Sequence, residues 1–522
     1  MLKKSCLMMK GMKKVQQQNN TILSRPSKYY KTFLFFFVFA AITTACQKQQ
    51  KTDFFYTYTQ SDPANLDPFY STDVVSGKIL AHLFNGLFKI NKDGIFQKDL
   101  LEHYSFDGII FKGKLIKNVL FHNGTRLSAR DVAFSYNRIM NSQNPTSPRK
   151  WVFEKVIKIN IINDYEFVII LKSPSSTFPY LLTMPNCFII SEEAYRKDGS
   201  IIGSGPFSLA EWKRDESLML VKNNHYYDTK PHINGIIYKI IPEDLTARFE
   251  FLNGTIDYFE LPYLANLDLK ENKNKLITAG ELSVHYIAIN NLKQPFDDKL
   301  LRKAINMAID RKSILNNLLK NRFTLAAGAV PSKVGDYSAV REIIPYNPSE
   351  AKKIIKEKGY SGKEIILLLK PDHQVSLICQ TIQHYLNAAG LSLKIREVEW
   401  SALKTATMKG NFDMAYLTWH ADYPEAENFL YPLFFSKNTG AGGNRSFYSN
   451  KDTDYLLAEA QETVEKEKRF ALYRRIERII VDDAPWIFLW YGSKRIALSE
   501  RVANFISYPV FSGMKGTEIE LK

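Results

Sequence analysis

The sequence predicts an α/β protein built from two or three lobes. A chain of 522 residues is too long for one small hydrophobic core. Runs of alternating apolar residues, which are typical of strands, are interspersed with helical patterns along most of the chain. The clearest case is a strand at 365–369, a helix ending at Ala389 and a strand at 391–400, and this order predicts a β-α-β unit.

Residues 1–45 have the layout of a secretory signal peptide. A basic region ends at Lys31, residues 33–42 are apolar, and small residues lead to Cys46. About 20 apolar residues are needed to span a bilayer, so this run is too short for a transmembrane helix. A Cys at this point resembles the bacterial lipobox, although Thr43 stands where Leu is usual. We expect acylation of Cys46, with residues 46–52 as anchor and tether; cleavage after Ala45 without a lipid is the alternative.

Several secondary-structure elements are predicted in the first half of the mature chain. The segment F-F-Y-T-Y-T-Q predicts a strand from Phe54, and residues 78–88 have apolar side chains at helical spacing. Asn123-Gly124 predicts a hairpin turn. Ser128, with Asp131 three residues later, predicts a capped helix start.

The second half is equally regular. Residues 299–309 carry an apolar stripe of a core-facing helix, and Asn347 followed by Pro348 predicts the start of a short helix. Residues 461–481 predict another helix. Residues 485–491 (P-W-I-F-L-W-Y) predict a buried strand that returns the chain to its first lobe.

Residues 410–436 contain a predicted strand and, at its end, the main candidates for ligand binding. Residues 412–418 predict a strand that is apolar on both faces, and the strand leads into Trp419 and Asp422. Tyr423-Pro424 then stops it. A carboxylate at the end of a buried strand suits a ligand-binding crevice, but such an Asp also commonly caps the next turn. The residues alone leave both interpretations open.

The charge pattern does not indicate nucleic-acid binding. Of the 70 Lys and Arg residues, eight lie in 1–45, where no Asp or Glu occurs. Cleavage would leave 62 basic and 54 acidic residues, a net charge of +8. The remaining basic residues are scattered rather than clustered with aromatic residues.

No motif of an enzyme is present, so we expect no catalytic residue, no cofactor and no metal. The sequence lacks H-E-x-x-H, and S-x-x-K at 401–404 has none of the motifs that accompany it in enzymes. None of the four Cys residues forms a C-x-x-C pair. Because Cys187 and Cys379 fall in different predicted lobes, we expect them to be unpaired.

Four motifs resemble the family 5 extracellular solute-binding proteins, which are the oligopeptide- and dipeptide-binding receptors of bacterial ABC importers. W-H-A-D-Y-P-E-A-E-N-F (419–429) is similar to the family's W-x-A-D-Y-P-[DE]-P-x-N-F, with Ala426 where many members have Pro. F-H-N-G-T-R-L-S-A-R-D-V-A-F-S (121–135) matches F-H-D-G-x-P-[LF]-[TS]-A-x-D-V-x-[FY]-[ST]. G-S-G-P-F (203–207) and the stretch 295–311 match further family motifs.

The resemblance implies a fold of the type II periplasmic-binding-protein kind, with two lobes joined by hinge crossovers and an additional α/β domain. The implied divisions are lobe I (53–77, 201–282 and 493–522), additional domain II (78–200) and lobe II, or domain III (283–492). A ligand would be enclosed between the lobes. We expect a monomer, anchored to the cell membrane by its lipid and facing the periplasm or the exterior, that passes peptides to the transmembrane subunits of an ABC importer.

The resemblance also implies a set of ligand-binding residues. Asp422 would receive the ligand's α-ammonium, and Trp419 would pack beside the first ligand residues. Tyr416 stands where oligopeptide binders have an Arg, and Thr418 lies on the same strand. Thr72 and Val74 fall where the family runs extended backbone beside the peptide. Two alternatives stay open, namely the same fold binding a nickel complex, haem or a sugar, and a surface lipoprotein with an interaction role.

Overall fold

The computed structural model describes residues 53–262, 275–339, 343–440 and 443–522. The predicted signal peptide, tether and Cys46 lie outside this part. Residues 53–522 form one compact unit. Among the described residues, we find no helix with the length and apolar character required to cross a membrane.

The strands, numbered along the chain, are β1 (Phe54–Thr59), β2 (Phe88–Ile90), β3 (Phe96–Lys98), β4 (Leu101–Phe106), β5 (Ile110–Leu115), β6 (Val156–Asn163), β7 (Glu166–Leu171), β8 (Phe207–Lys213), β9 (Ser217–Lys222), β10 (Gly235–Ile240), β11 (Tyr258–Leu261), β12 (Lys275–Ile289), β13 (Thr324–Leu325), β14 (Lys333–Val334), β15 (Tyr337–Ser338), β16 (Glu364–Leu369), β17 (Ser392–Glu397), β18 (Met414–His420), β19 (Trp486–Leu498), β20 (Val502–Asn504) and β21 (Glu520–Leu521). The α-helices are Val74–Leu83, Ala129–Met140, Phe178–Leu181, Glu192–Asp198, Asp244–Leu252, Lys299–Met307, Arg311–Ser313, Pro348–Glu357, His373–Ala388, Trp400–Lys409, Glu427–Phe434, Lys451–Glu462 and Lys466–Asp483.

The first lobe is built on a sheet with the strand order β1-β10-β9-β8, in which β1 runs parallel to β10. The helix Val74–Leu83 packs on this sheet, and its Leu80 shares a core with Phe55 and Leu220. The predicted domain boundary between residues 77 and 78 lies inside this helix, whose Ile79, Leu80, Ala81 and Leu83 are buried in that core.

The additional domain has its own sheet and core. Its strands follow the order β4-β5-β7-β6, and the helix Ala129–Met140 packs beside them through Tyr136. The predicted cap is confirmed: the Ser128 side chain accepts from the backbone, and Asp131 accepts from the N–H of Ser128. Phe111 and Ile169 complete this core from the sheet.

The second lobe surrounds a sheet with the order β11-β19-β12-β18-β16-β17. One face of the sheet carries Leu417 and Phe488 under the helices of residues 427–483, and the other carries Met414 and Leu489 under those of residues 299–388. Residues 414–417 of β18 are buried on both faces, which confirms the predicted doubly covered strand.

Strands β12 and β19 run from the first lobe into the second. Their pairing continues from Lys275↔Leu498 to Ala288↔Trp486, with a register shift between Gly280 and Val284. The predicted crossover points, 282/283 and 492/493, lie at this irregularity.

Two predicted helices have different bounds in the structure. The helix expected at 78–88 spans Val74–Leu83, because Asp73 caps it by accepting from the Ser76 N–H. The helix expected at 461–481 is two helices, Lys451–Glu462 and Lys466–Asp483.

The G-S-G segment at 203–205 is a close crossing of backbones, because a Cβ at Gly203 would lie 2.1 Å from the Leu83 carbonyl oxygen. Cys187 and Cys379 are free and buried, as expected, and they belong to different cores.

Candidate functional site

Asp422 lies just beyond the end of β18, where Pro424 prevents the strand from continuing. Its backbone N–H donates to the Asn428 side-chain oxygen at 3.0 Å. Its carboxylate caps no turn, because within the described residues it accepts hydrogen bonds from Arg149 and from no backbone N–H. The capping interpretation of Asp422 is therefore not supported by the geometry.

Arg149 reaches Asp422 from the additional domain. The guanidinium Nη1 and Nη2 lie 3.4 and 3.3 Å from the two carboxylate oxygens of Asp422. These distances are long for a charge-assisted pair, in which 2.7–2.9 Å is typical. The two side chains are 20% and 31% exposed. The carboxylate is thus accessible to a ligand and only loosely occupied. Arg149 is not predicted as a site residue from the sequence, because nothing in N-P-T-S-P-R-K-W marks it.

Two buried donors, one on Trp419 and one on Arg149, have no acceptor among the described residues. They are the indole Nε1–H of Trp419 and the Nε–H of Arg149. A buried donor without a partner is costly, so a bound molecule or water that offers acceptor oxygens would be favoured at both positions. Trp419 otherwise packs against the core that includes Leu417.

Tyr416 and Thr418 lie on the opposite face of the sheet from Trp419, because side chains alternate along a strand. The Tyr416 hydroxyl lies 3.0 Å from Nδ1 of His285, and the Thr418 hydroxyl lies 3.1 Å from the same atom. Tyr416 is buried within the core of that face. Burial lowers the pKa of His285 to about 3, so this network is neutral at physiological pH. The structure does not bring Tyr416 and Thr418 together with Asp422.

Thr72 and Val74 lie at the surface of the first lobe. Thr72 is exposed, and Val74, also exposed, is the first residue of the helix that Asp73 caps. The extended backbone implied for this stretch therefore stops at Asp73, and Val74 is helical. This is a correction to the local structure expected around Val74.

A second group of charged side chains comes together from separate parts of the chain. Lys494 Nζ lies 3.8 Å from a Glu281 carboxylate oxygen, and the Tyr258 hydroxyl donates to Glu260 at 3.0 Å. Lys78 lies within electrostatic reach of Glu260, Lys494 and Glu281. Burial lowers the pKa of Lys78 and Lys494 acts in the same direction, whereas the two carboxylates oppose the shift. This group is not predicted from the sequence, because no local motif joins its members.

Two cavities adjoin these groups. The narrower cavity, about 60 Å³, is lined in part by Lys78, Tyr258 and Lys494. The larger cavity, about 430 Å³, has walls from the first lobe, the second lobe and the turn that contains Gly94. Asp422 is not among its lining residues, but a Cβ at Gly335 in its wall would lie 3.1 Å from the Pro424 carbonyl oxygen. Its volume lies within the range of small-molecule sites, ~300–1,000 Å³.

We searched the described residues for clusters of three or more His, Cys, Asp or Glu side chains that could hold a metal ion, and none is present there. A carboxylate, a guanidinium and two unpaired N–H donors can bind a polar ligand that carries both an ammonium group and acceptor oxygens.

The chain is similar in sequence to known bacterial solute-binding proteins. The family described as "Bacterial extracellular solute-binding proteins, family 5 Middle" matches residues 96–441. The chain is 27% identical over 473 residues to the probable D,D-dipeptide-binding periplasmic protein DdpA of Escherichia coli (strain K12), covering 86% of this chain and 90% of DdpA. It is 28% identical over 468 residues to the glutathione-binding protein GsiB of Salmonella choleraesuis (strain SC-B67), covering 86% and 91%.

Solved structures show the same fold. The periplasmic binding protein DppA from Helicobacter pylori, in complex with the peptide STSA, superposes with a TM-score of 0.77 at 24% identity, covering 90% of this chain and 98% of that one. The predicted type II two-lobe α/β fold is confirmed by this likeness.

Proposed function

This chain belongs to the family 5 bacterial extracellular solute-binding proteins, and from that premise we propose that it captures peptides between its lobes and delivers them to an ABC importer. Members of this family are transport receptors and not enzymes, which confirms that the chain is a receptor. Its relatives are named for binding a D,D-dipeptide and glutathione. Both of those ligands carry a free ammonium group and carboxylates.

The observation that carries the proposal is the accessible carboxylate of Asp422 at the end of β18. A peptide ammonium loses its hydration when the lobes enclose it, and a buried charge without a partner is very costly. A carboxylate already held in place compensates this loss. The long contacts to Arg149 leave room for an ammonium to approach the same oxygens.

The rest of the binding mode follows from general physics. An extended peptide can pair its backbone with strand edges, so that affinity depends little on side chains. Hinge closure would enclose it, and the irregular pairing of β12 with β19 is the place where we expect bending. The division into lobe I, lobe II and an additional domain, with the boundary moved to follow Leu83, forms part of this proposal.

We also propose that the receptor is a monomer held at the membrane by a lipid on Cys46. The short apolar run, the small residues before Cys46 and the polar tether after it support this assignment. The transmembrane subunits of the importer would be its protein partners. A non-peptide solute in the same fold remains the competing function, and a surface lipoprotein with an interaction role is the other.

The proposal is tested at Asp422. Ligands released from denatured, purified protein are first identified by mass spectrometry; a nickel complex, haem or a sugar instead of peptides would contradict the peptide assignment. Asp422→Asn should then weaken binding of the co-purified peptide by about two to four decades, since breaking a buried charge pair costs roughly 3–5 kcal/mol. Calorimetry measures the affinity.

The controls separate binding from folding. Circular dichroism should show an intact fold in Asp422→Asn. An N-acetylated version of the same peptide should bind the wild type poorly, because it lacks the ammonium. Unchanged affinity in the variant would reject ammonium capture by Asp422.

A further inference from the structure

We propose that Arg149 receives a carboxylate of the ligand, and that the ligand is therefore short and zwitterionic. The inference rests on the proposed role of Asp422 and extends it. It also supplies the carboxylate receptor that Tyr416 cannot provide, because Tyr416 lies in the core on the other face of the sheet.

The net charge of the site favours a ligand that carries both a positive and a negative group. Asp422 and Arg149 form a neutral pair in the structure. A ligand ammonium that binds Asp422 adds one positive charge beside a guanidinium, and like charges in an enclosed site repel strongly. A ligand that also brings one negative charge restores neutrality. An uncharged group at the same place would leave the repulsion in full.

The second step is the hydrogen-bonding geometry of Arg149. Its Nη1 and Nη2 make only long contacts to Asp422, and its Nε–H is buried without an acceptor in the described part of the chain. A guanidinium binds a carboxylate best through two parallel N–H donors. A ligand carboxylate could use the free Nε–H together with one Nη–H, while the ammonium replaces the guanidinium at Asp422.

The third step sets the distance between the two ligand charges. Because Arg149 and Asp422 contact each other, the groups that they bind must also lie close together. An extended chain spans at most about 3.6 Å per residue, so the termini of a dipeptide are about 7 Å apart. Longer α-peptides would place the carboxylate out of reach. An α-carboxylate beside the ammonium, as in a γ-glutamyl compound, offers the same charges even closer together.

The test measures retention of defined ligand mixtures. Ligand-stripped protein is incubated with equimolar α-dipeptides, with their C-terminal amides, with tetrapeptides and with γ-glutamyl amino acid amides, then desalted and analysed by mass spectrometry. The wild type should retain free-acid dipeptides or γ-glutamyl compounds at least tenfold over dipeptide amides and tetrapeptides. The two free-acid arms show which source of the carboxylate is used.

Three variants assign the effect to Arg149. Arg149→Gln should lose the preference for acids over amides, and Arg149→Lys should retain part of it. Arg196→Gln is the matched control, because Arg196 is another arginine of the additional domain and pairs with Glu192 at 2.7 Å, not with Asp422. It should leave the preference unchanged.

The outcomes distinguish this inference from the proposed function. Equal retention of acids and amides by the wild type, a preference for tetrapeptides, or loss of the preference in Arg196→Gln instead of Arg149→Gln would overturn the role of Arg149. If Asp422→Asn loses ligands but Arg149→Gln behaves as wild type, only the Arg149 assignment fails. If Asp422→Asn retains every ligand, the ammonium site itself is wrong.

Discussion

At the scale of single residues, two buried histidines tie the stability of the protein to pH. His82 donates from Nδ1 to the Lys515 carbonyl oxygen at 3.1 Å, and its Nε2 accepts from the Tyr238 hydroxyl at 2.8 Å. Burial lowers the pKa of His82 to about 4 and that of His285 to about 3. Both rings are therefore neutral in the folded protein at pH 5, where an unfolded histidine, with a pKa of about 6.5, is mostly charged.

We predict that the free energy of unfolding falls as the pH drops from 7 to 5. The unfolded state binds protons there and the folded state does not, so each histidine removes about 2 kcal/mol at pH 5. Urea unfolding at the two pH values measures the loss. His82→Asn should lose less between pH 7 and 5 than the wild type, whereas the exposed His103→Gln should match it. An identical loss in His82→Asn would contradict the prediction.

The candidate site could be predicted only in part, and the reason is visible residue by residue. Asp422 and Trp419 lie in a motif that is continuous in sequence, so the sequence alone could locate them. Arg149 comes from another domain, 273 positions away, and only the folded chain brings it to Asp422. The position of Tyr416 and Thr418 beside the motif predicts that they bind the ligand. In the structure, the alternation of side chains along the strand directs both toward His285, on the opposite face of the sheet from Trp419.

At the scale of elements, the paired strands β12 and β19 are the connection on which movement of the lobes would depend. Around their register shift, Gly492 packs so closely that a Cβ there would lie 1.9 Å from Ser283 Oγ and 2.9 Å from Glu281 Oε2. At Gly280, on the opposite strand, a Cβ would have no heavy atom within 4 Å. The two glycines thus differ in the room available for a side chain, although they lie in the same irregular stretch.

We predict that Gly492→Ala lowers the free energy of unfolding by about 1–3 kcal/mol, because overpacking in a closely packed region costs this much. Gly280→Ala is the control and should change it by less than about 0.5 kcal/mol. Urea unfolding provides both values. Adding Ser283→Ala to Gly492→Ala should recover part of the loss; equal effects of the two single variants would argue against tight packing at Gly492.

Element types were easier to predict than element ends. The capping residues Ser128 and Asn347 identified two helix starts, since a side-chain cap is a local signal. Asp73 is an equally local cap. The apolar spacing of residues 78–88 nevertheless predicts a helix that begins four residues too late. The break near Thr463 between two helices carries no Gly or Pro, so the sequence offered no signal for it.

At the scale of the whole molecule, the second lobe and the additional domain are in direct contact in this conformation. Tyr423 is buried in the core of the additional domain, and Ser176 of that domain donates its backbone N–H to the Gln461 carbonyl oxygen at 2.9 Å. Arg149 and Asp422 lie at the same junction. Opening of the site must therefore separate these contacts or carry the additional domain along with the second lobe.

The lipid that we propose on Cys46 would hold the whole molecule at the membrane. A single acyl chain gives only marginal membrane binding, whereas two or more chains hold a protein stably. We predict that cells expressing the wild type incorporate radiolabelled palmitate into this protein and that Cys46→Ser abolishes the label. Cys6→Ser is the matched control, because Cys6 lies in the predicted signal peptide, upstream of the proposed cleavage site, and it should keep full labelling. Equal labelling of Cys46→Ser and wild type would mean cleavage after Ala45 without lipid, and the receptor would then have to be retained by another route.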